Sequence, residues 1–548
     1  MANLTPNKYK AEVNTLALTA DWDINDVLNF KSISSWRNTE GGEVNELDGI
    51  GISLLGRTNL GPGSEQRNTD AYTQEFQLAG NAFDEKLDYV VGAFGFHEET
   101  DKGAATSPGG PFFNALDGVN LPSFLGCQTK SECAFYQTNR TELLTKNSSA
   151  SAFAQADWHF DEYWTLTLGG RYTWEERKLT RNFRVPDLAT LATTGDAEYA
   201  NFSTFFDFPS GPETFNPNHG YTVALITPDG QTTWNPAVGT PDPLADQTQR
   251  YNKTKFTPMG SIQRTFDGVG FMDFGNVYFT VANGFLSGGI SDTVDVQTRM
   301  VEEYDPEEVW NYELGFKMDA WDRKLRLNTA LFYTDYENRQ LTTIRISPEG
   351  RIAGALINAK SSYISGVEFE AVVLPVENLQ VTANITFNES DIEEYDDEQI
   401  SAANGPTPPG CELINVNGNL LNNCPIDRSD EDMPRLPDSV YYLAVQYTFE
   451  TEYGSIVPML SWSYRTNLNN CFDASSCKTD IYKVNQEDVT ARLTWNSPDM
   501  NWRVSAFGYN LSDDRYVIGG TPLVDNTATA ATIYNTPRTY GIEAAYTW

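Results

Sequence analysis

The chain has 548 residues and a formal net charge of −37, with 75 acidic and 38 basic side chains. So acidic a surface repels the phosphates of nucleic acid, which excludes nucleic acid as a partner. Aromatic residues make up 13% of the sequence, whereas a disordered acidic chain contains few of them. The chain is therefore folded, and its length requires either several domains or one very large barrel.

The sequence contains no stretch near the roughly 18 to 20 consecutive apolar residues that a membrane helix needs. The strands of a membrane barrel leave no such signal, because every second residue faces the lumen. The first residues, MANLTP, have neither a basic region nor an apolar stretch, so they do not form a signal peptide. If the protein is exported, we expect its N-terminal part to be missing from this sequence.

Segments in which apolar and polar residues alternate predict β-strands. These strands come in pairs that are joined by short links. In the first half they span about 10–22 and 26–39, 71–80 and 86–99, 150–160 and 163–181, and 253–267 and 275–285. In the second half they span about 304–321 and 323–345, 351–374 and 379–392, 439–451 and 453–467, 480–497 and 500–512, and 533–548. Long loops separate the pairs, and the longest covers about 182–252. We predict an all-β fold over residues 1–548: a transmembrane antiparallel β-barrel with about 17 strands, short periplasmic turns and long extracellular loops.

The last predicted strand shows its two faces most clearly. Trp548, Tyr546, Ala544, Ile542 and Tyr540 share one face, and small or polar residues occupy the other. An apolar face closed by aromatic rings suits lipid on one side and a wet lumen on the other. The strands of a soluble sandwich alternate too, but their solvent face is rich in Lys and Glu. Here the polar positions are mostly small or uncharged, which favours the membrane barrel.

Tryptophans cluster beside the predicted short turns, at Trp22, Trp158, Trp164, Trp321 and Trp502. Amphipathic rings at that position are typical of the headgroup level of a membrane. The alternative is packing against the rim of a soluble core. We expect these rings to form an interfacial belt.

Six cysteines lie in three local pairs within the long loops: Cys127 with Cys133, Cys411 with Cys424, and Cys471 with Cys477. Closure within each pair is the simplest of the 15 possible connectivities. None of the pairs has the two-residue spacing or the nearby histidine of a zinc site. We predict three disulfides, which places the long loops in an oxidising compartment.

Seven short segments of the predicted strands and their links have a distinctive sequence. They are QEFQL at 74–78, GGRYT at 169–173, DPEEVWNYELGFK at 305–317, LNTALFYTDY at 327–336, SGVEFE at 365–370, FGYNLSDDRY at 507–516 and PRTYGIE at 537–543. These segments are similar to the barrel of TonB-dependent outer-membrane receptors. Each segment is short, but together they span nearly the whole chain. The sequence therefore resembles this family along most of its length.

This resemblance implies a barrel of about 22 strands in the outer membrane of a Gram-negative bacterium, filled by an N-terminal plug. Such receptors are energised by the TonB complex through the plug and import scarce nutrients, most often ferric siderophores, otherwise haem, cobalamin or oligosaccharides. The implied partners are outer-membrane lipid, the TonB complex, a nutrient ligand and the barrel assembly machinery, for which Trp548 resembles the terminal assembly signal. No cofactor is implied.

The sequence departs from the family pattern at its start, where it has no plug and no energy-coupling box. It also has about five strands fewer than the family's barrel. Single-chain bacterial barrels close with an even number of strands, so about 17 strands predicts that an odd number of strands precedes Met1. We expect a receptor fragment that covers the barrel portion.

Two loop regions hold candidate binding residues. Asp396, Asp397, Asp430 and Asp432 lie in acidic segments that could bind calcium, although the spacing of a calcium loop is absent and solvated acidic loops are common. No metal is otherwise indicated.

Four phenylalanines, Phe112, Phe113, Phe205 and Phe206, could contact a ligand in the long loops. Packing that holds the loops in shape is an equal alternative. In the lumen, Arg326 could bind an anionic ligand.

Catalytic groups are scarce, which argues against an enzyme. The three histidines, His97, His159 and His219, lie in different regions without a serine elbow or a metal motif. The leading hypothesis is a receptor barrel for TonB-dependent uptake of a ferric siderophore or similar nutrient. A passive porin-like channel is the second hypothesis, and an outer-membrane hydrolase that uses His97 is the third.

Overall fold

The computed structural model describes residues 8–46, 55–58, 67–108, 139–184, 246–294, 301–346, 352–402, 405–416, 419–429, 433–470, 482–523 and 529–548. These residues form β-strands, turns and short irregular links. Within these ranges no helix is long and apolar enough to cross a membrane.

In chain order the strands are β1 (Lys8–Asn25), β2 (Leu28–Glu46), β3 (Leu55–Thr58), β4 (Arg67–Ala82), β5 (Leu87–Pro108), β6 (Asn139–His159), β7 (Trp164–Arg184), β8 (Asp246–Val269), β9 (Met272–Leu286), β10 (Gly289–Val294), β11 (Val301–Tyr304), β12 (Glu307–Ala320), β13 (Leu325–Ile346), β14 (Ile352–Val373), β15 (Leu379–Glu394), β16 (Asp396–Ala402), β17 (Glu412–Val416), β18 (Asn419–Asp427), β19 (Ser439–Tyr447), β20 (Phe449–Thr451), β21 (Gly454–Asn469), β22 (Lys483–Asn496), β23 (Trp502–Tyr509), β24 (Val517–Leu523), β25 (Thr529–Tyr534) and β26 (Thr539–Tyr546).

One antiparallel sheet of 19 strands dominates the fold. Two of them, β3 and β20, are short segments beside longer neighbours, so 17 strands form the wall. They follow one another in the order β1, β2, β4, β5, β6, β7, β8, β9, β12, β13, β14, β15, β19, β21, β22, β23, β26. The prediction of about 17 strands is confirmed. In the described ranges, β1 and β26 are the two edges of the sheet.

Short and longer connections alternate along the wall, as predicted, except that β13 and β14 are also joined by a short connection, residues 347–351. The other short ones span residues 26–27, 83–86, 160–163, 270–271, 321–324, 374–378, 448–453 and 497–501. They all lie at one end of the wall, because each joins two antiparallel neighbours. The longer connections lie at the other end, where β10 and β11, β16 to β18, and β24 and β25 form three small additional sheets.

Exposed aromatic rings mark the short-turn end of the outward face. Trp22 is 66% exposed, and Trp164, Trp321 and Trp502 are also exposed. Trp158 is less exposed, and its ring lies 5.8 Å from that of Phe83 in the adjacent turn. The predicted position of the tryptophans beside the short turns is confirmed.

Four glycines on the inward face lie directly opposite aromatic residues of the neighbouring strand. The pairs are Gly92 with Phe153, Gly315 with Tyr278, Gly366 with Phe332, and Gly541 with Phe507. In each pair the ring covers the glycine so closely that a Cβ there would overlap ring atoms. Glycine inside a strand normally weakens it, so this close approach explains why these positions carry no side chain.

The turn at 497–501 is built around Asp499. Its carboxylate accepts hydrogen bonds from the Ser497 hydroxyl, from the Asn501 amide N–H at 3.2 Å and from the Asn501 side chain at 3.0 Å. The Ser497 hydroxyl oxygen in turn accepts the N–H of Trp502 at 2.9 Å, at the start of β23. These bonds, led by that from Ser497, hold the pKa of Asp499 below its ordinary value of 3.8.

We expect Asp499→Asn to weaken the folded protein at neutral pH, with a difference from the wild type that shrinks in acid. A lowered carboxyl pKa contributes stability above the ordinary value of 3.8, and this contribution disappears as the pH falls through the lower folded-state value. The fraction of folded protein in detergent, measured between neutral pH and strong acid, tests this. A difference that grows on acidification would contradict it.

Candidate functional site

The inward face of the wall carries cations that lie over aromatic rings. Arg171 lies 5.4 Å from the ring centre of Phe94 and 5.7 Å from that of Phe153. Lys317 lies 5.4 Å from the ring centre of Tyr278. Such contacts stabilise the cation and leave a surface that is both aromatic and polar.

Carboxylates complete this inward surface. The Tyr278 hydroxyl donates to Glu313 at 2.5 Å on the neighbouring strand. Arg492 and Arg503 both approach Glu543, at 3.4 and 3.9 Å. The face therefore presents hydrogen-bonding groups of both charges.

Arg326 lies on the inward face close to the short-turn end. Its guanidinium donates two hydrogen bonds to Asp319, at 2.8 and 3.0 Å. A bidentate pair of this kind already satisfies the cation, so an anionic ligand would have to compete with Asp319. Arg326, which we predicted to bind an anion in the lumen, is thus already paired with Asp319 in the structure.

At the long-loop end, the hairpin of β10 and β11 covers the inward face of the wall. Ile290 and Val301 pack on Leu143 of β6 and Leu179 of β7. Leu143, Leu179 and Val301 are all buried. The hairpin also contacts β8 and, several strands further along the wall, β14. It therefore lies across the interior and covers part of the outer mouth.

A cavity of about 320 Å³ lies beside this hairpin. Its lining consists of Lys253, Thr254, Lys255, Phe285, Asp305, Pro306, Glu308 and Asn338. It forms where the ladder between β8 and β9 ends at the pair of Met259 and Ala282. The next residue on β8 is Pro258, which has no N–H to donate, so the ladder stops there and the upper part of β8 separates from β9.

Opposite charges face each other across the cavity. Lys255 forms an ion pair with Glu308, and Lys253 lies 3.7 Å from Asp305. Asp305 is held by Asn358 of β14, whose side-chain oxygen accepts the Asp305 N–H at 2.8 Å and whose amide donates to the Asp305 carbonyl at 3.0 Å. The cavity can offer cationic, anionic and apolar contacts to a ligand.

A second structure at the outer mouth is the small sheet of β16, β17 and β18. The disulfide between Cys411 and Cys424 closes it, with Cα atoms 4.2 Å apart. One of the three predicted disulfides is therefore confirmed. The segment is anchored to the wall by buried Ile392 and Tyr395, which pack with Leu341 of β13.

The carboxylates predicted to bind calcium lie in and around this sheet. Asp397 is buried and pairs with Arg428 at 2.9 Å, whereas Asp396 lies 3.1 Å from Lys360. Asp430 and Asp432 lie outside the described residues. Within the described ranges no three acidic, histidine or cysteine side chains converge to hold a metal ion. Asp396 and Asp397, the two calcium candidates among the described residues, are thus each paired with a basic side chain.

The remaining loop candidates, namely Cys127, Cys133, Cys471, Cys477, Phe112, Phe113, Phe205 and Phe206, lie outside the described residues. The two cysteine pairs and the ligand contacts of the phenylalanines stay predictions. For the cysteines we expect mass spectrometry of non-reduced peptides to find Cys127 linked to Cys133 and Cys471 linked to Cys477. A crossed linkage would contradict the assignment of each pair to one loop.

His97 lies beside a carboxylate that is close to it in the sequence, Glu99, and beside Ser148, which the sequence did not indicate. Its ring nitrogens lie 2.9 Å from the Ser148 hydroxyl and 3.4 Å from Glu99, which Lys146 approaches at 2.6 Å. Ser148 lies within β6, which pairs with β5 on one side and β7 on the other. Its surrounding backbone N–H groups are therefore engaged in the ladders and do not offer the paired donors that stabilise an oxyanion. This geometry does not support acyl transfer.

His159 is the other histidine within the described residues. His159 contacts Thr165 at 2.9 Å and Asp88 at 3.0 Å beside a short turn. His219 lies outside the described residues.

A wall of antiparallel strands that is apolar outside and polar inside, with short turns at one end and long loops at the other, defines a β-barrel of the outer-membrane type. A family model described as TonB dependent receptor-like, beta-barrel, matches residues 2–511. The chain belongs to this family, and the resemblance recognised in the sequence is confirmed. The family consists of transport receptors and not of enzymes.

Solved structures with the same fold include three receptors. The ferric yersiniabactin uptake receptor FyuA from Yersinia pestis is 15% identical, with a TM-score of 0.64 over 98% of this chain and 61% of that one. The siderophore receptor PiuA from Acinetobacter baumannii is 16% identical, with a TM-score of 0.59 over 98% and 65%. The ferric-catecholate import receptor Fiu from E. coli K12 is 13% identical, with a TM-score of 0.56 over 99% and 65%. The chain thus spans less than two thirds of each of these proteins.

Proposed function

We propose that this chain is the barrel portion of a receptor for TonB-dependent uptake of a ferric siderophore or a similar scarce nutrient. The observation that carries the proposal is the match of the receptor barrel family to residues 2–511. FyuA, PiuA and Fiu, which share the fold, are described as receptors for iron complexes or siderophores.

The outer mouth supports a role in ligand capture. The β10–β11 hairpin covers part of the mouth, and the adjoining cavity carries two lysines and two carboxylates with an apolar wall at Phe285 and Pro306. Ligand pockets commonly combine an apolar lining with a few polar groups that fix orientation. Chelated metal complexes offer complementary charged and apolar parts to such a lining.

The location and the partners belong to the same proposal. We place the chain in the outer membrane of a Gram-negative bacterium, where lipid covers the outward face. The TonB complex would act through a plug, and the barrel assembly machinery would read the terminal aromatic. Trp548 is fully exposed and its ring lies 6.4 Å from that of Tyr546, so it is accessible for such recognition.

Uptake by intact cells tests the transported substrate. The gene that encodes this chain is deleted, and iron-limited growth and accumulation of radioactive iron are measured with a panel of ferric siderophores. We expect loss of uptake for one complex, recovery when the gene is restored, and no recovery in a strain that also lacks TonB. Uptake that persists without TonB would contradict active transport, and unchanged uptake of every iron complex would contradict the assignment to iron.

Substitution of a residue that lines the cavity tests whether the cavity contributes to ligand capture. We expect Lys253→Glu to raise the ligand concentration needed for half-maximal uptake severalfold, because it replaces a half-exposed cation beside Asp305 with a like charge. Lys324→Glu, in a short turn at the opposite end, is the control and should leave uptake unchanged. Equal effects of both substitutions would indicate that overall charge, and not the cavity, matters.

A further inference from the structure

Within the described ranges, the part of β8 nearest the long loops is paired on one side only. β7 pairs with β8 from Arg264 to Asp246, whereas the ladder between β8 and β9 ends at Met259. The residues from Asp246 to Pro258 therefore have β7 on one side and an open edge on the other. We call this stretch upper β8. An unpaired edge presents a row of N–H and C=O groups that another extended segment can bind.

Two observations show which residues of upper β8 turn their backbone groups to the open edge. Successive residues of an antiparallel strand direct their N–H and C=O alternately to its two neighbours. The Thr265 N–H donates to the Tyr163 carbonyl at 2.9 Å, on the β7 side. Pro258 has no N–H and lies an odd number of residues away in an unbroken register, so it faces the edge, where a proline is tolerated. The N–H and C=O of Thr254 and Phe256 face the edge in the same way.

The cavity of about 320 Å³ runs along this open edge. Lys253, Thr254 and Lys255, three consecutive residues of upper β8, all line it. Successive side chains of a strand point to opposite faces, so three in a row line one cavity only where it lies beside the edge. Phe285 and Pro306 form its apolar side. The site thus combines main-chain hydrogen-bonding groups with an apolar wall, and its volume falls within the range of small-molecule sites.

The facing edge of β9 is open in the same direction. Strand register places Val281 opposite Gly260, an even-numbered residue of β8 whose backbone groups point to β9. Asn283 and Phe285 lie two and four positions beyond Val281, so their N–H and C=O point toward β8 past the end of the ladder. Among the strands that the structure describes, none lies between these two edges. The gap therefore offers main-chain donors and acceptors from both sides.

We propose that the open edge of upper β8 binds a ligand with an extended peptide backbone of about three or four residues, which span about 10 to 14 Å. Strand addition holds such a ligand through main-chain hydrogen bonds, and pockets for its side chains set the sequence preference. Thr254 and Phe256 each supply one N–H donor and one C=O acceptor to the peptide. Phe285 and Pro306 contact an apolar side chain of the ligand. The inference rests on the proposed function, because it names the class of ligand that the cavity captures.

Peptide binding to the purified chain in detergent micelles tests the proposal. The probe is the blocked tetrapeptide acetyl-Ala-Val-Ala-Val-amide, whose uncharged ends leave the backbone and small side chains as the recognised groups. Its counterpart carries a methyl group on every main-chain nitrogen between its residues and therefore lacks these N–H donors. We expect native mass spectrometry to detect binding of the first peptide and at least tenfold weaker binding of the second. Equal binding of both peptides, or no binding of the first, would overturn the proposal.

A proline at the centre of the site tests the edge itself. Thr254→Pro removes one edge-facing N–H and leaves the bonds to β7 in place, as Pro258 does in the wild type. We expect it to weaken tetrapeptide binding about threefold to tenfold. The matched control is Thr248→Pro, which places a proline on the same edge outside the cavity and should leave the affinity unchanged. Unchanged affinity of Thr254→Pro, or an equal loss in both variants, would contradict recognition at the cavity edge.

Hydrogen exchange of the wild-type chain decides the matter even if Thr254→Pro fails to fold. Bound tetrapeptide should slow exchange of the Thr254 and Phe256 amides at least tenfold, because they gain partners on the open edge. The amides of Lys253 and Lys255 point to β7 and should exchange equally slowly with and without the peptide. Unchanged exchange at Thr254 and Phe256 under saturating peptide would refute the proposal. Neither measurement involves iron or uptake, so a failure of the nutrient assignment and a failure of this inference are distinguishable.

Discussion

Gly315→Val is expected to lower the stability of the folded barrel by about 2.5–6 kcal/mol. The ring of Tyr278 covers this glycine, and its hydroxyl donates to Glu313 while Lys317 lies over the ring. A valine must push the ring away, which costs about 1–3 kcal/mol in overpacking, and the loss of a hydrogen bond to a charged group adds about 1.5–3 kcal/mol. The midpoint of denaturant unfolding in detergent micelles measures the change.

The matched control is Gly95→Val on the outward face of β5. A Cβ at Gly95 meets no atom within 4 Å, so we expect a change of no more than about 0.5 kcal/mol. This comparison separates the close approach of the ring from the general effect of removing a glycine from a strand. An equal loss of stability in both variants would contradict the role of the Tyr278 ring.

Arg428→Ala is expected to loosen the small sheet of β16 to β18 at the outer mouth. Arg428 and Asp397 form an ion pair at 2.9 Å, with side chains that are 5% and 0% exposed. Removing one partner from a buried pair costs about 3–5 kcal/mol, because the remaining charge stays out of water. Hydrogen exchange should accelerate by roughly a hundredfold or more in residues 396–427 and remain unchanged in the wall strands.

An exposed ion pair in the same region provides the control. Lys360 contacts Glu394 and Asp396, and the three side chains are 57%, 55% and 70% exposed. Exposed pairs contribute about 0–1 kcal/mol, so Lys360→Ala should change hydrogen exchange little. Similar acceleration in both variants would show that burial of the Asp397 pair does not stabilise the sheet.

The 17 wall strands could be predicted from the sequence because period-two alternation is local and short turns punctuate it. The predicted ends are less accurate. The strand predicted at about 86–99 extends to Pro108, and the one at about 150–160 begins at Asn139. Above the apolar band both faces are polar, so the alternation that reveals a strand disappears there although the ladder continues.

The small strands β10, β11, β16, β17, β18, β24 and β25 were missed for a related reason. They are short and pair only with one another, so neither length nor periodicity distinguishes them from loops. Their burial depends on distant residues: Val301 packs on Leu143 and Leu179, which lie on two other strands. The Cys411–Cys424 pair was the one sequence signal within these segments that predicted a contact.

The sequence by itself determined the wall, its two faces and the side on which the long loops lie, because these follow from residues a few positions apart. Only the tertiary structure decided which charges meet. Lys146, Lys178 and Arg250 come together through strand register, as do His97 and Ser148. A shift of one residue would turn each of these side chains to the other face, and packing across the whole sheet fixes that register.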